Sequence, residues 1–198
     1  MPLIKSISGI RGTIGSKKNE NLTPEDIKSF TAAFGEWVKS KTDNTLVKIV
    51  VGRDARISGR FVSNIVTGTL IGCGFDVVDI GLSTTPTVEV AVKKENAAGG
   101  IILTASHNPK QWNALKLLNK EGEFLSDSDG KKILEIAKNE DFIFSDINQI
   151  GSLVHDNSHN DQHIDDVLNL ELVDVELIKS KKYKVVLDAV NSTGGILI

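Results

Sequence analysis

The sequence predicts an α/β protein in which a largely parallel sheet is sandwiched by helices. Two observations carry this. Short apolar runs such as Val47-Lys48-Ile49-Val50-Val51 and Ile101-Ile102-Leu103 are too short for ordinary helices and suit buried strands. They alternate with longer stretches of helical periodicity, the order that builds βαβ units. With 198 residues there is enough chain for one full core and part of a second. An apolar content of 40% with 25% charged residues describes a globular chain.

In chain order, Ile4 to Ser8 alternates and reads as a strand running into Gly9-Ile10-Arg11-Gly12. There two glycines allow a tight turn that presents one guanidinium, a group suited to bidentate phosphate contact. Thr23-Pro24-Glu25-Asp26 starts a helix: cap, proline at the first position, acids in the first turn. Ile27, Phe30, Phe34, Trp37 and Val38 form its apolar face, and the aromatics read as core. The strand from Val47 to Val51 leads into Gly52-Arg53-Asp54-Ala55-Arg56-Ile57-Ser58-Gly59, where two arginines around one aspartate can rigidify a loop. A helix from about Ser58 turns Phe61, Ile65 and Leu70 or Ile71 inward and ends at Gly72-Cys73-Gly74. Asp76 to Gly81 is the next strand, and Thr85-Pro86 starts the next helix.

Gly99 to Leu103 then reads as a buried strand, followed abruptly by Thr104-Ala105-Ser106-His107-Asn108-Pro109. Ligand chemistry in open α/β sheets gathers at the carboxyl ends of strands. A serine beside an imidazole there is either a nucleophile or phosphate carrier, or part of an ordinary polar loop; chemistry alone leaves both open. Ala114 to Leu118 is a strand bearing Lys116, and Ser126 or Asp127 caps a helix holding Ile133, Ile136 and Ala137. Phe142 to Asn157 reads as a connector. His155, His159 and His163 lie four apart, a spacing at which two could share a metal, but their polar surroundings favour solvated side chains. Ile164, Val167 and Leu168 begin a helix, and Lys184 to Asp188 reads as a strand.

Composition excludes several classes. The net charge of −3 gives no electrostatic reason to expect nucleic acid. The single cysteine, Cys73, can build neither a disulfide framework nor a cysteine zinc site, and fits a reducing cytoplasm. The start, Met1 to Lys5, has no signal-peptide core, no run is long enough for a membrane span, and no repeat is visible.

The segment Thr104 to Pro109 resembles the phosphoserine loop of the α-D-phosphohexomutases, which include phosphoglucomutase, phosphomannomutase and phosphoglucosamine mutase. Gly9-Ile10-Arg11-Gly12 is similar to the family's N-terminal active-site segment, although Ile7-Ser8 stands where many members have Thr-Asp or Thr-Ser. Gly52 to Gly59 resembles its Gly-Arg-Asp-x-Arg-x-Ser-Gly segment. Asn113 and Lys116, after the aromatic Trp112, match a further motif, with Ala114 in place of the usual glycine.

The resemblance implies a mixed, mostly parallel sheet at 1–150 as domain I, then a linker and the truncated start of a second α/β domain at 151–198. It implies that Ser106 carries the phosphoryl group that passes between C1 and C6 of a hexose phosphate. A hexose 1,6-bisphosphate would be intermediate and activator. Arg11 would face the phosphoserine. Arg11, Asn108 and Lys116 would contact phosphate, and Arg11, His107 or Lys116 would help proton transfer. Arg53, Asp54, Arg56 and Asn113 would support the loop from behind. Mg²⁺ would bind the Ser106 phosphate together with three aspartates of an Asp-Gly-Asp-Gly-Asp-Arg loop that this chain lacks.

Family members have four domains, so the chain reads as a fragment, inactive alone, whose partners are the enzyme's remaining domains, with self-association through its apolar end left open. Thr104-Ala105 favours phosphoglucomutase/phosphomannomutase; phosphoglucosamine mutase is the alternative. A non-catalytic phosphosugar-binding module would not need the serine, and no Gly-x-Ser-x-Gly of a serine hydrolase surrounds it.

Overall fold

The computed structural model describes residues 3–6, 9–42 and 47–198. Its strands are β1 (Ile4–Ser6), β2 (Gly9–Thr13), β3 (Val47–Arg53), β4 (Phe75–Leu82), β5 (Gly99–Leu103), β6 (Trp112–Leu118) and β7 (Leu153–His155). The helices are α1 (Pro24–Lys39), α2 (Gly59–Gly72), α3 (Thr85–Lys94), α4 (Asp127–Asn139), α5 (His159–Leu168) and α6 (Val175–Ser180). Ile7 and Ser8, which the sequence attaches to a strand and a motif, lie outside the described residues.

One mixed sheet runs in the order β1-β2-β6-β5-β3-β4-β7. β5, β3, β4 and β7 pair parallel, while β6 opposes β5, β2 opposes β6 and β1 opposes β2. All strands but β1 and β6 therefore point one way. Consecutive apolar residues, Ile49 to Val51 in β3 and Ile101 to Leu103 in β5, bury both faces of these two strands. Ile49, Val51, Ile101 and Leu103 face one core with Phe34, Val62 and Leu70 from α1 and α2. Val50 and Ile102 face a second core with Val88 and Val92 of α3. No described helix is long and apolar enough to cross a membrane.

The predicted start of α1 forms in full. The Thr23 hydroxyl accepts from the Asp26 N–H at 3.2 Å, and the Asp26 carboxylate accepts from the Thr23 N–H at 3.3 Å. Trp37 is core, as its spacing implies, and its indole N–H donates to Asp129 of α4 at 3.1 Å. Asp129 also pairs with Lys41 and accepts from the capping Ser126.

These partners, the Ser126 hydroxyl first, hold the Asp129 carboxyl below its usual range. A depressed carboxyl stabilises the fold above its unfolded pKa and loses that contribution as pH falls through the folded value. Asp129→Asn should therefore lower stability at neutral pH by about 1 kcal/mol. It should also flatten the acid limb of a urea-midpoint-against-pH curve; an unchanged limb would remove Asp129 from the acid response.

Five elements differ from their sequence readings. Gly9 to Gly12 is not a turn but strand β2, paired antiparallel with β6. In α2 the buried stripe is Val62, Val66 and Leu70, at i, i+4 and i+8; Phe61, one position off that stripe, is 45% exposed. Within the expected connector, Leu153–His155 adds a parallel edge strand to β4, too short for alternation to show. The following helix starts at His159, not Ile164, and Lys184 to Asp188 forms no strand. Val186 is 98% exposed, and no described strand lies beside that run to complete a ladder.

Candidate active site

The site follows from incomplete cover over one face of the sheet. Helices α1, α2 and α4 cover one face, whereas α3 packs on β3 and β5 of the other. The part of that second face formed by β6 and β2 is left open. Side chains alternate along a strand, and Arg11 pairs across from Ala114 while Lys116 pairs across from Ile102 and Gly9. Ile102 belongs to the α3-side core, so Lys116 and Arg11 both project from the open patch. The loop after β5 borders it. Arg11, Ser106, His107, Asn108 and Lys116 line a single cavity of about 470 Å³.

Ser106 stands at φ 53°, in the left-handed region. A non-glycine residue there costs on the order of 1–2 kcal/mol and persists only where neighbours fix it. Here the Ser106 N–H donates to the Thr104 hydroxyl at 3.0 Å, and that hydroxyl donates to the Asp54 carboxylate at 2.6 Å. Asp54 in turn accepts from the Arg56 N–H at 3.0 Å and from its guanidinium at 3.2 Å.

The Arg56 guanidinium then reaches four backbone carbonyls: Ser106 at 2.6 Å, Asn108 at 2.8 Å, Pro109 at 2.9 Å and Trp112 at 3.0 Å. Every carbonyl it holds belongs to the Ser106 loop or to the entry of β6. The loops after β3 and β5 meet because these strands are parallel neighbours, so their carboxyl ends lie side by side. Arg53 donates to the Asp54 carbonyl at 3.2 Å. Asn113 is fully buried, donates to the Ser58 hydroxyl at 2.9 Å and ties β6 to the start of α2. Asn108 donates one amide N–H to the Ala105 carbonyl at 2.8 Å, closing the loop.

Two participants escape sequence reading. Thr104 carries the loop's hydrogen-bond relay, which becomes visible only once Asp54 is beside it. Glu89 of α3 lies near Lys116: burial raises its carboxyl above the usual range, and the Lys116 charge partly offsets this. The Lys116 ammonium also lies 5.8 Å from the centre of the Phe124 ring.

The cavity suits an anion. The described residues lining it carry Arg11, Lys116 and His107 but no carboxylate, and Asp54 is committed to Arg56 and Thr104. These residues do not make a Mg²⁺ site by themselves. The histidines expected to be solvated lie elsewhere and differ among themselves. His155 is exposed beside Asp79, His163 contacts the Thr87 hydroxyl at 3.0 Å, and His159 is 3% exposed. A fold that docks α5 against α3 buries what a polar stretch of sequence leaves outside.

Residues 3–144 match the family model for phosphoglucomutase/phosphomannomutase, alpha/beta/alpha domain I. A phosphoglucomutase/phosphomannomutase of Thermococcus kodakarensis is 35% identical over 190 residues, covering 96% of this chain and 40% of the relative. A phosphoglucosamine/phosphogalactosamine mutase of Sulfurisphaera tokodaii is 35% identical over 193 residues, covering 95% of this chain and 39% of the relative. The chain thus spans about two fifths of the length of these curated relatives. The fold is shared with parafusin, a phosphoglucomutase of Paramecium, with a TM-score of 0.71 at 18% identity over 98% of this chain and 39% of that one. On the strength of the match over residues 3–144, the chain belongs to the phosphoglucomutase/phosphomannomutase family and contains its alpha/beta/alpha domain I.

Proposed function

We propose that this chain supplies the phosphoserine side of a phosphohexomutase active site. The observation that carries this reading is Ser106, held in a left-handed conformation at the rim of a cavity with Arg11, His107 and Lys116 and no lining carboxylate. Phosphoryl transfer depends on positioning and charge neutralisation more than on covalent chemistry by the protein. A hydroxyl of the hexose phosphate attacks the phosphorus on Ser106. The new sugar O–P bond forms as the Ser106 O–P bond breaks, the sugar hydroxyl loses its proton and Ser106 regains one. Reversal with the sugar's other phosphate moves the group between C1 and C6.

Arg11 and Lys116 balance charge on the transferring group, and Arg11, His107 or Lys116 handles the proton. The Mg²⁺ implied by the family resemblance would need donors from beyond this cavity, so no step here is assigned to it. Hexose 1,6-bisphosphate is intermediate and activator. Residues 1–150 act as domain I and 151–198 as the linker and start of the next domain; the end of the family match at 144 supports that division. Relatives named for glucose/mannose and for glucosamine phosphates stand at the same 35% identity. The preference for a glucose or mannose phosphate therefore rests on Thr104-Ala105, with phosphoglucosamine mutase as the alternative.

Peptide mass spectrometry of protein from the full-length gene tests the reading. One phosphate is expected on Ser106, discharged by a hexose monophosphate and absent from Ser106→Ala. A Ser106 that stays unphosphorylated after incubation with a hexose 1,6-bisphosphate would overturn the reading in favour of a phosphosugar-binding module. The 198-residue chain alone should show no mutase turnover; magnesium-dependent turnover by it would place the whole machinery within these residues.

A further inference from the structure

We propose that Glu95, Asp156 and His159 form a second site, for a divalent first-row cation with Zn²⁺ foremost, which clamps α5 to the sheet. Glu95 ends α3 just before β5, Asp156 follows β7, and His159 opens α5. Their ligand atoms lie within 4.8 Å of one another. The His159 Nε2 is 3.3 Å from Glu95 Oε1 and 3.6 Å from Asp156 Oδ2. Ligands bound to Zn²⁺ at about 2.0–2.2 Å in a tetrahedron sit about 3.4 Å apart, so both spacings match the edges of a coordination shell.

An independent observation is the state of His159 itself. Its side chain is 3% exposed, and its Nε2 has no hydrogen-bond partner among the described residues. Close as they are, neither carboxylate stands where it would accept a proton from that nitrogen. A cation on the Nε2 lone pair would take both oxygens as further ligands. A buried imidazole nitrogen left unpartnered is otherwise a cost to the fold.

The surroundings hold the carboxylates ready. Lys48 donates to Glu95 Oε2 at 2.7 Å, leaving Oε1 toward His159. The Ser158 N–H donates to Asp156 Oδ1 at 2.9 Å, leaving Oδ2. Each carboxylate thus has one oxygen fixed by the protein and one turned to the imidazole, the outer-shell arrangement of metal sites. With Lys48 counted, the cluster keeps one net negative charge for a dication. An opening of about 250 Å³ lined by Glu95, Asp156, Lys48 and Asp76 brings solvent to both carboxylates.

The other contacts of α5 with the body of the domain include Asn160 to the Leu82 carbonyl, His163 to Thr87 and Asp166 to Lys94. Polar contacts of this kind hold a helix weakly, and a shared cation would strengthen the junction. The site is independent of Ser106. Glu95 precedes the amino end of β5 and Ser106 follows its carboxyl end, so the five residues of the strand, about 16 Å, lie between them.

Zn²⁺ titrated into the chain should bind one to one by calorimetry and raise Tm progressively with free metal. Co²⁺ in its place should give a visible absorption band. Asp156→Asn should weaken binding about 10-fold and His159→Gln about 100-fold, while phosphorylation of Ser106 is unaffected. His159 is buried, so if His159→Gln fails to fold, Asp156→Asn, with its partly exposed side chain, decides. Absence of binding at millimolar Zn²⁺, or equal affinity in the variants that fold, would overturn the proposal.

Discussion

Arg56→Lys is expected to disable the Ser106 loop even though it keeps the charge. The guanidinium, with a side chain only 10% exposed, donates to four carbonyls and to Asp54. An ammonium has three donors and no planar fork, so it can serve at most one edge of this arrangement. Each lost hydrogen bond from a charged donor costs about 1.5–3 kcal/mol, part of it regained by water. Full removal in Arg56→Ala also leaves Asp54 without its cation and should destabilise domain I by about 3–5 kcal/mol.

The functional effect is expected to exceed the loss of stability. Ser106 sits in a left-handed conformation that its neighbours must enforce, and a displacement of about 1 Å in a reacting group can cost about 100-fold in rate. In the full-length enzyme Arg56→Lys should lower kcat about 100-fold with little change in KM, because Arg56 touches the loop and not the cavity wall. A variant with wild-type kcat would show that the loop holds its shape without the guanidinium.

What could be read from sequence depended on whether the signal was local. The Thr23-Pro24 start of α1 and the apolar β5 each declare themselves within a few residues and stand as read, while α3 is capped by Thr84, one residue before the Thr85 that its proline suggests. The Ser106 hexapeptide and the Gly52–Gly59 segment were legible as motifs, and the structure places them side by side at the ends of β5 and β3. Lost were the features made by partners distant in sequence. His159 looked solvated because its own neighbours are polar, and only Glu95, brought up by α3, changes its surroundings. β7 is three residues that owe their conformation to β4. Thr104 was visible as part of a motif, but its role as relay needs Asp54, fifty positions away. Gly9 departs for a related reason: two glycines three positions apart suggest a turn, whereas here Gly9 serves a close approach between strands.

That close approach makes a single added methyl group costly. Gly9 has φ 122°, a conformation that L side chains rarely adopt, and a Cβ there would collide with the Leu115 carbonyl oxygen and lie 3.3 Å from the Lys116 Cα. The obstacle is backbone in the middle of β6, which cannot swing aside as a side chain would. Gly9→Ala should therefore cost about 2–6 kcal/mol, backbone strain and overpacking together, a large part of a domain's usual 5–15 kcal/mol.

Gly68, exposed inside α2, is the contrasting case. Its added Cβ meets nothing within 4 Å, and alanine there should raise stability by about 1 kcal/mol. Urea midpoints by far-ultraviolet circular dichroism should thus move in opposite directions for the same chemical change. Because Gly9 is paired with Lys116 and Arg11 with Ala114, pushing β2 from β6 also separates the two cations that face the cavity. Gly9→Ala should consequently lose phosphate affinity at temperatures where it is still folded. A Gly9→Ala protein with both midpoint and affinity unchanged would mean that β2 does not approach β6 this closely, and that the two cations are brought together by something other than this pairing.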